Sequence, residues 1–290
     1  ASCLLAVKYR EQNEEGEYVG GPMYYLKRGL GMKFLATLFS IFVVIGAVGV
    51  GIFCQINSMS LSFATLGIAP WVTGVGIAIA VSFVLLGGVK RFAKLAAAVI
   101  PLMAVIYLGG ALFILATHST SILPAFVTMF KSAFGFSSVA GGVLGFGTMQ
   151  MITTGVGRAL FATDVGTGYV PILQAGARSK HHVIDGAVAL VAPLLVMVVC
   201  TITALVLIVT GAFQTGLQST PMVVHAFQMG VGKVLGSAIV NSALLLFGYT
   251  TILAWACCFE KGIGFLFGCR LVKYFRLLFI ALIPISALFS

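Results

Sequence analysis

Hydrophobic residues in this chain gather into long blocks broken by short polar or basic stretches, with neither the strict two-residue alternation of strands nor the one-sided stripe of soluble helices. Seven blocks approach or exceed the roughly 20 apolar residues that cross a bilayer as a helix: residues 34–64, 71–89, 95–116, 141–163, 183–212, 233–259 and 274–290. They predict an all-α, polytopic membrane protein, a single membrane domain over 1–290 with about seven spans between 34 and 290. The last block is still apolar at Ser290, and the chain opens on Ala1 rather than Met, so it reads as a piece of a longer chain.

Between these blocks the pattern predicts smaller elements. Residues 11–17 are acidic and polar and read as a loop. In GGPMYYLKRGLG (20–31), Pro22 is placed to start a short helix and Gly29 and Gly31 to end it. Its aromatics beside Lys27 and Arg28 suit a helix lying at the cytoplasmic interface. Ile122, Phe126, Met129, Phe130 and Phe134 recur at helical spacing and predict an amphipathic helix over 119–136.

Composition sharpens this picture. The chain is 60% hydrophobic and 8% charged, against roughly 25% charged in soluble domains. No Asp or Glu occurs from Phe34 to Thr163, as expected where a buried acid costs several kcal/mol. The net charge of +10 is topological. Fifteen of the 17 basic residues fall in residues 1–33 and in every second connection thereafter, and only Lys131 and Lys233 fall in the others. By the positive-inside rule residues 1–33 are cytoplasmic, and 65–70, 117–140 and 213–232 lie outside. Nucleic-acid binding is thereby set aside, and the expected setting is a cell membrane of bacterial or archaeal type.

Candidate chemistry is sparse. The six cysteines form no C-x-x-C pair, and free Cys packs as a small hydrophobe. The four histidines form no metal-ligand pattern, and no hydrolase motif occurs. No cofactor is expected, and the protein reads as a non-enzyme.

Neutral polar residues in three blocks carry more information. GGVLGFGTMQMITTGVG (141–157) combines six glycines with Thr148, Gln150, Thr153 and Thr154. That combination predicts a discontinuous helix at a transporter's binding site, although close packing through small residues also explains the glycines. Gln55, Asn57 and Ser58 interrupt the first block; Asn241, Ser242, Thr250 and Thr251 precede Trp255 in the sixth. Neutral groups at mid-depth suit a zwitterionic ligand, and from these residues alone a sugar or another neutral solute fits nearly as well. The pocket is expected to be bordered by Gln55, Gly145, Gly147, Thr148, Gln150 and Trp255. Arg158 and Asp164 open an irregular cytoplasmic segment (158–180) expected to act as a gate.

The chain resembles the alanine or glycine:cation symporters. The resemblance is carried by LLAVKYREQNEEGEYVGGPMYYLKRGLG (4–31), GVGRALFATDVGTGYVPILQAGARSKHHVIDG (155–186), CTITALVLIVTG (200–211) and TTILAW (250–255). It implies a leucine-transporter-like fold of ten core helices in two inverted repeats, with sodium or proton coupling. The 34–64 block then corresponds to the third core helix, 141–163 to the sixth, and the last two blocks to the eighth and ninth. The first core helix would precede Ala1. In that fold two hydroxyls of the eighth helix hold a sodium ion, which implies Thr250 and Thr251 here. Where the family reads S-N-E-A-G-M-G-S, this chain has Ala162 to Tyr169, with Asp164 in place of the glutamate. The resemblance implies symport of a small neutral amino acid, alanine or glycine first, with sodium as co-substrate. The other readings are a proton-coupled or other small-solute transporter of the same fold, a channel, or a membrane enzyme whose catalytic part lies on other segments.

Overall fold

A computed structural model describes residues 1–14, 16–64, 67–87, 89–134, 142–164, 166–177 and 182–289. Helix α1 (Ser2–Lys8) leads into a two-stranded antiparallel hairpin, β1 (Glu11–Gln12) with β2 (Tyr18–Val19), which replaces the expected loop. Helix α2 (Pro22–Arg28) has Pro22 in its first turn, and Gly31 leaves it at φ +69°. Then follow α3 (Lys33–Gly46), a π-helical stretch (Ala47–Cys54), α4 (Gln55–Ala64), α5 (Pro70–Leu85), α6 (Val89–Thr117) and α7 (Ser119–Phe134). The chain continues through α8 (Gly142–Thr163), α9 (Tyr169–Gln174), α10 (His182–Val209), a 3-10 turn (Ala212–Thr215), α11 (Ser219–Val231), α12 (Lys233–Phe267) and α13 (Cys269–Ala287).

The protein is an all-α, polytopic membrane protein. Four stretches among the described residues are long and apolar enough to cross a bilayer: Lys33–Ala64, Arg91–Thr117, Gly186–Val209 and Lys233–Phe267. Helix α5 is shorter, at 16 residues.

The chain divides into two compact units. The first comprises Ala1–Tyr107, Gly168–Ala189 and Ala238–Ser290. Its core joins Ile52, Ile56 and Met59 to Ile252, Leu253 and Ile283. Helix α13 lies close along α5, so that a methyl on Gly74 would sit 2.7 Å from Ala287 Cβ. A smaller cluster packs Val19, Met23 and Tyr24 against Ile172 and Cys258. The second unit comprises Leu108–Thr167 and Leu190–Ser237. There Ile114 and Phe227 are fully buried, a methyl on Gly230 would press into Ile114 at 2.5 Å, and Gln228 donates to Ser237 at 2.6 Å.

The glycine-rich fourth block corrects one expectation. Helix α8 runs unbroken from Gly142 to Thr163, with Gly141 outside the described residues. The physical balance explains this. Glycine costs about 1 kcal/mol in a helix, whereas a backbone group left unpaired in hydrocarbon costs several. The Thr153 and Thr163 hydroxyls also donate back to carbonyls of the same helix, to Met149 at 2.7 Å and Ala159 at 2.8 Å. The helical irregularity lies instead in the first block, as the π stretch AVGVGIFC immediately before Gln55.

Candidate functional site

In the first unit the π stretch faces α12. A methyl on Gly51 would lie 2.5 Å from Trp255 Cβ and 2.7 Å from its Cγ, so the bare backbone is what admits the indole. Tyr169, the first residue of α9, meets the same indole edge-on, with centroids 4.0 Å apart and planes at 65°. Its hydroxyl donates to the Phe42 carbonyl at 3.3 Å and fills the space beside Gly46, where a side chain would collide with it. Trp255 is thus buried between Gly51 and Tyr169. π-Helical turns of this kind often mark functional positions in helices.

Gln55 opens α4 right after the π stretch and is half-buried. Farther along α4, Asn57 Oδ1 and Ser60 Oγ are buried without a hydrogen-bond partner among the described residues. Ser62 and Asn241 hydrogen-bond to each other. The Thr250 hydroxyl turns back onto its own helix, to Leu246 and Phe247 carbonyls at 2.9 and 3.0 Å, a common disposition for Thr in membrane helices. Thr251 is half-buried beside it.

The remaining expected site residues belong to the second unit. Gly145, Gly147 and Thr148 lie in the helical backbone of α8, and Gln150 and Arg158 are exposed on it. Asp164 follows the last turn with φ 51°, its N–H bonded to the Leu160 carbonyl and its own carbonyl accepting from the Thr167 hydroxyl. Burial raises the Asp164 carboxyl above its ordinary value, and among the described residues it forms no ion pair. The structure therefore brings Gln55, Thr250, Thr251 and Trp255 into one unit, and Gly145, Gly147, Thr148, Gln150, Arg158 and Asp164 into the other.

Some neighbours of these residues escape sequence reasoning. Tyr169 and Gly51 are two; the only signal for Gly51 was its place in the Gly-x-Gly of VGVGIF. A third is Glu260 near the C-terminal end of α12, which pairs side-on with Arg276 of α13 through two contacts of 2.5 and 3.0 Å. Lys261 donates to the Ile172 carbonyl at 3.0 Å, and Arg10 to that of Ala177 at 2.7 Å. Beside this pair lies a polar cavity of about 590 Å³, lined by the hairpin, Tyr24 and the facing ends of α12 and α13. Burial, then the charge of Glu11, pushes the Tyr24 phenol up to about 12, so it stays protonated. A separate apolar cleft of about 420 Å³ runs between α5 and α12, past Gly76 and Tyr249.

A multi-pass helical protein of the cell membrane, with neutral polar residues at depth, has the build of a transporter. The comparisons with known proteins agree. The profile of the sodium:alanine symporter family matches residues 1–290, and the chain belongs to that family. It is 37% identical to an uncharacterised transporter of Haemophilus influenzae, over 99% of this chain and 64% of that protein. To the sodium/alanine symporter AgcS of Methanococcus maripaludis it is 36% identical, over 97% of this chain and 63% of that one. A Bacillus subtilis protein named "probable sodium/glutamine symporter GlnT" is 31% identical, over 90% of this chain and 54% of its own length. The chain thus spans less than two thirds of the length of these relatives. The family is one of transporters rather than enzymes.

Proposed function

We propose that the protein is a secondary active symporter that takes up a small neutral amino acid, alanine or glycine first, with sodium. The observation that carries this reading is the family match over the whole chain, joined to a relative named as a sodium/alanine symporter. The chemistry is compatible. A zwitterion needs donors and acceptors but no net countercharge, and Gln55 offers both just after the π stretch that packs on Trp255. Gly145, Gly147, Thr148 and Gln150 on α8 are the further substrate contacts that the sequence pattern suggests. Thr250 and Thr251 would supply hydroxyl ligands to sodium, once Thr250 gives up its bonds to Leu246 and Phe247. Arg158 and Asp164 would gate the cytoplasmic side.

Coupling then follows from linkage. Ion and substrate favour the same occluded state, so each raises the other's affinity, and rocking about a midplane site in a leucine-transporter-like fold exposes them in turn. The relative named for glutamine makes that amino acid the second substrate to test. Full-length protein in liposomes is expected to accumulate radiolabelled alanine only under an inward sodium gradient. Flux that ignores the gradient would indicate a channel or facilitator, and accumulation driven by a proton gradient alone would reassign the ion.

A further inference from the structure

The polar cavity beside Glu260 has no role in the pocket described above. It is walled by Glu17 from the hairpin, Glu260 and Lys261 from α12, and Cys269, Lys273 and Arg276 from α13. The chain holds only seven acidic residues, and two of them meet three basic residues around this one cavity. Glu260 and Arg276 satisfy each other, and Lys261 is drawn toward Ile172. Glu17 and Lys273 remain as a carboxylate and an ammonium that form no ion pair among the described residues. Apolar walls from Leu86, Val272 and Leu277 line the rest.

A site for a simple anion would present cations alone, and a site for a cation carboxylates alone. Both signs around one space fit a ligand carrying both. The cavity also reaches Cys257, two residues beyond Trp255 on the same helix, so it lies at the cytoplasmic end of the wall that Trp255 forms.

We infer that this cavity is a second, cytoplasmic-side site for a zwitterion bearing an anionic group and a primary ammonium, with Lys273 facing the former and Glu17 the latter. The inference rests on the transport reading for its ligand, the free amino acid arriving in the cytosol. An ethanolamine phospholipid headgroup has the same chemistry and is the other source.

Cys269 supplies a readout, because it is a free thiol on the cavity wall. Full-length protein in phosphatidylcholine nanodiscs is treated with a maleimide, and labelling of Cys269 is quantified by peptide mass spectrometry. Alanine is expected to slow the labelling, while propionate and ethylamine, each lacking one charge, are not. Glu17→Gln and Lys273→Gln should each raise the half-protecting alanine concentration at least tenfold. Protection should persist in Gln55→Ala, which separates this site from the transport pocket. Labelling slowed by added phosphatidylethanolamine and indifferent to alanine would identify the headgroup as the source. Equal labelling under all conditions, or protection unchanged in both charge variants, overturns the site. Protection by alanine without any alanine uptake in liposomes would leave the site standing and sink the transport reading.

Discussion

Two glycines in one π-helical stretch make an internally controlled test of the Trp255 contact. Replacing Gly49 or Gly51 with Ala changes the same atoms at positions two residues apart. Around Gly49 nothing lies within 4 Å of the added methyl, whereas at Gly51 it would meet Trp255 Cβ at 2.5 Å and Cγ at 2.7 Å. Both substitutions gain from the reduced freedom of the unfolded chain, about 0.4–1 kcal/mol where the backbone is compatible. Only Gly51→Ala adds an overpacking cost, typically 1–3 kcal/mol. That cost is hard to relieve, because the clashing atoms are the root of the Trp255 side chain and Tyr169 closes its other side. The shared gain cancels between the variants, so the expected difference is the overpacking cost alone, about 1–3 kcal/mol. Thermal unfolding in a fixed detergent, read as an inactivation rate because membrane proteins seldom refold, should rank Gly49→Ala at or above the parent and Gly51→Ala clearly below. Equal ranks, or a Gly51→Ala protein as durable as the parent, would refute the packing described here.

Three further outcomes are expected. Gly46→Ala should destabilise by about 1–3 kcal/mol through collision with the Tyr169 hydroxyl, and Tyr169→Phe should rescue most of it, since the methyl would then face the ring carbon at 3.2 Å; additive losses in a thermal-shift double-mutant cycle would disprove the contact. Glu260→Gln should cost about 1–3 kcal/mol by leaving the half-buried Arg276 without its carboxylate, and the Glu260→Gln/Arg276→Gln pair should recover part of it in the same cycle. Asp164→Asn should stabilise at neutral pH. Burial raises the folded carboxyl's value, so the penalty is present above that value and fades as pH falls through it. Asn also accepts the left-handed backbone at this position. The variant's advantage should therefore shrink in acid, and an advantage constant with pH would count against a buried carboxylate.

The sequence made some features plain and hid others for identifiable reasons. Apolar length and the absence of acids marked the long helices, because lipid imposes those rules on every residue of a span. Pro22 and Gly29 marked α2 because both act locally. The glycines of α8 misled, since their cost is local while the penalty for opening the helix is set by the surrounding hydrocarbon. The π stretch was hidden for the opposite reason: AVGVGIFC reads as one more apolar run, and the residue packed against it, Trp255, lies about 200 residues away. Helix α11 lay inside a segment assigned to an outer connection, where Gly-flanked polar residues obscured its 13 helical positions. The π stretch ends at Cys54, next to Gln55, whereas the expected break was in the 141–157 block. The polarity of Thr250 was legible, but the direction of its hydroxyl was not, because back-bonding to Leu246 leaves no trace in the sequence.

The length of α12 fixes where its charged ends must sit. From Lys233 to Glu260 the helix rises about 40 Å at 1.5 Å per residue, close to the ~40–45 Å between the outer edges of the two headgroup layers. One continuous helix therefore has the length to put an ammonium at one aqueous boundary and Glu260 at the other. A thinner bilayer would have to be met by tilt, at a fraction of a kcal/mol per Å. Leaning the helix would return both charged ends to the headgroup boundaries together, so bilayer thickness acts on the two ends of α12 at once.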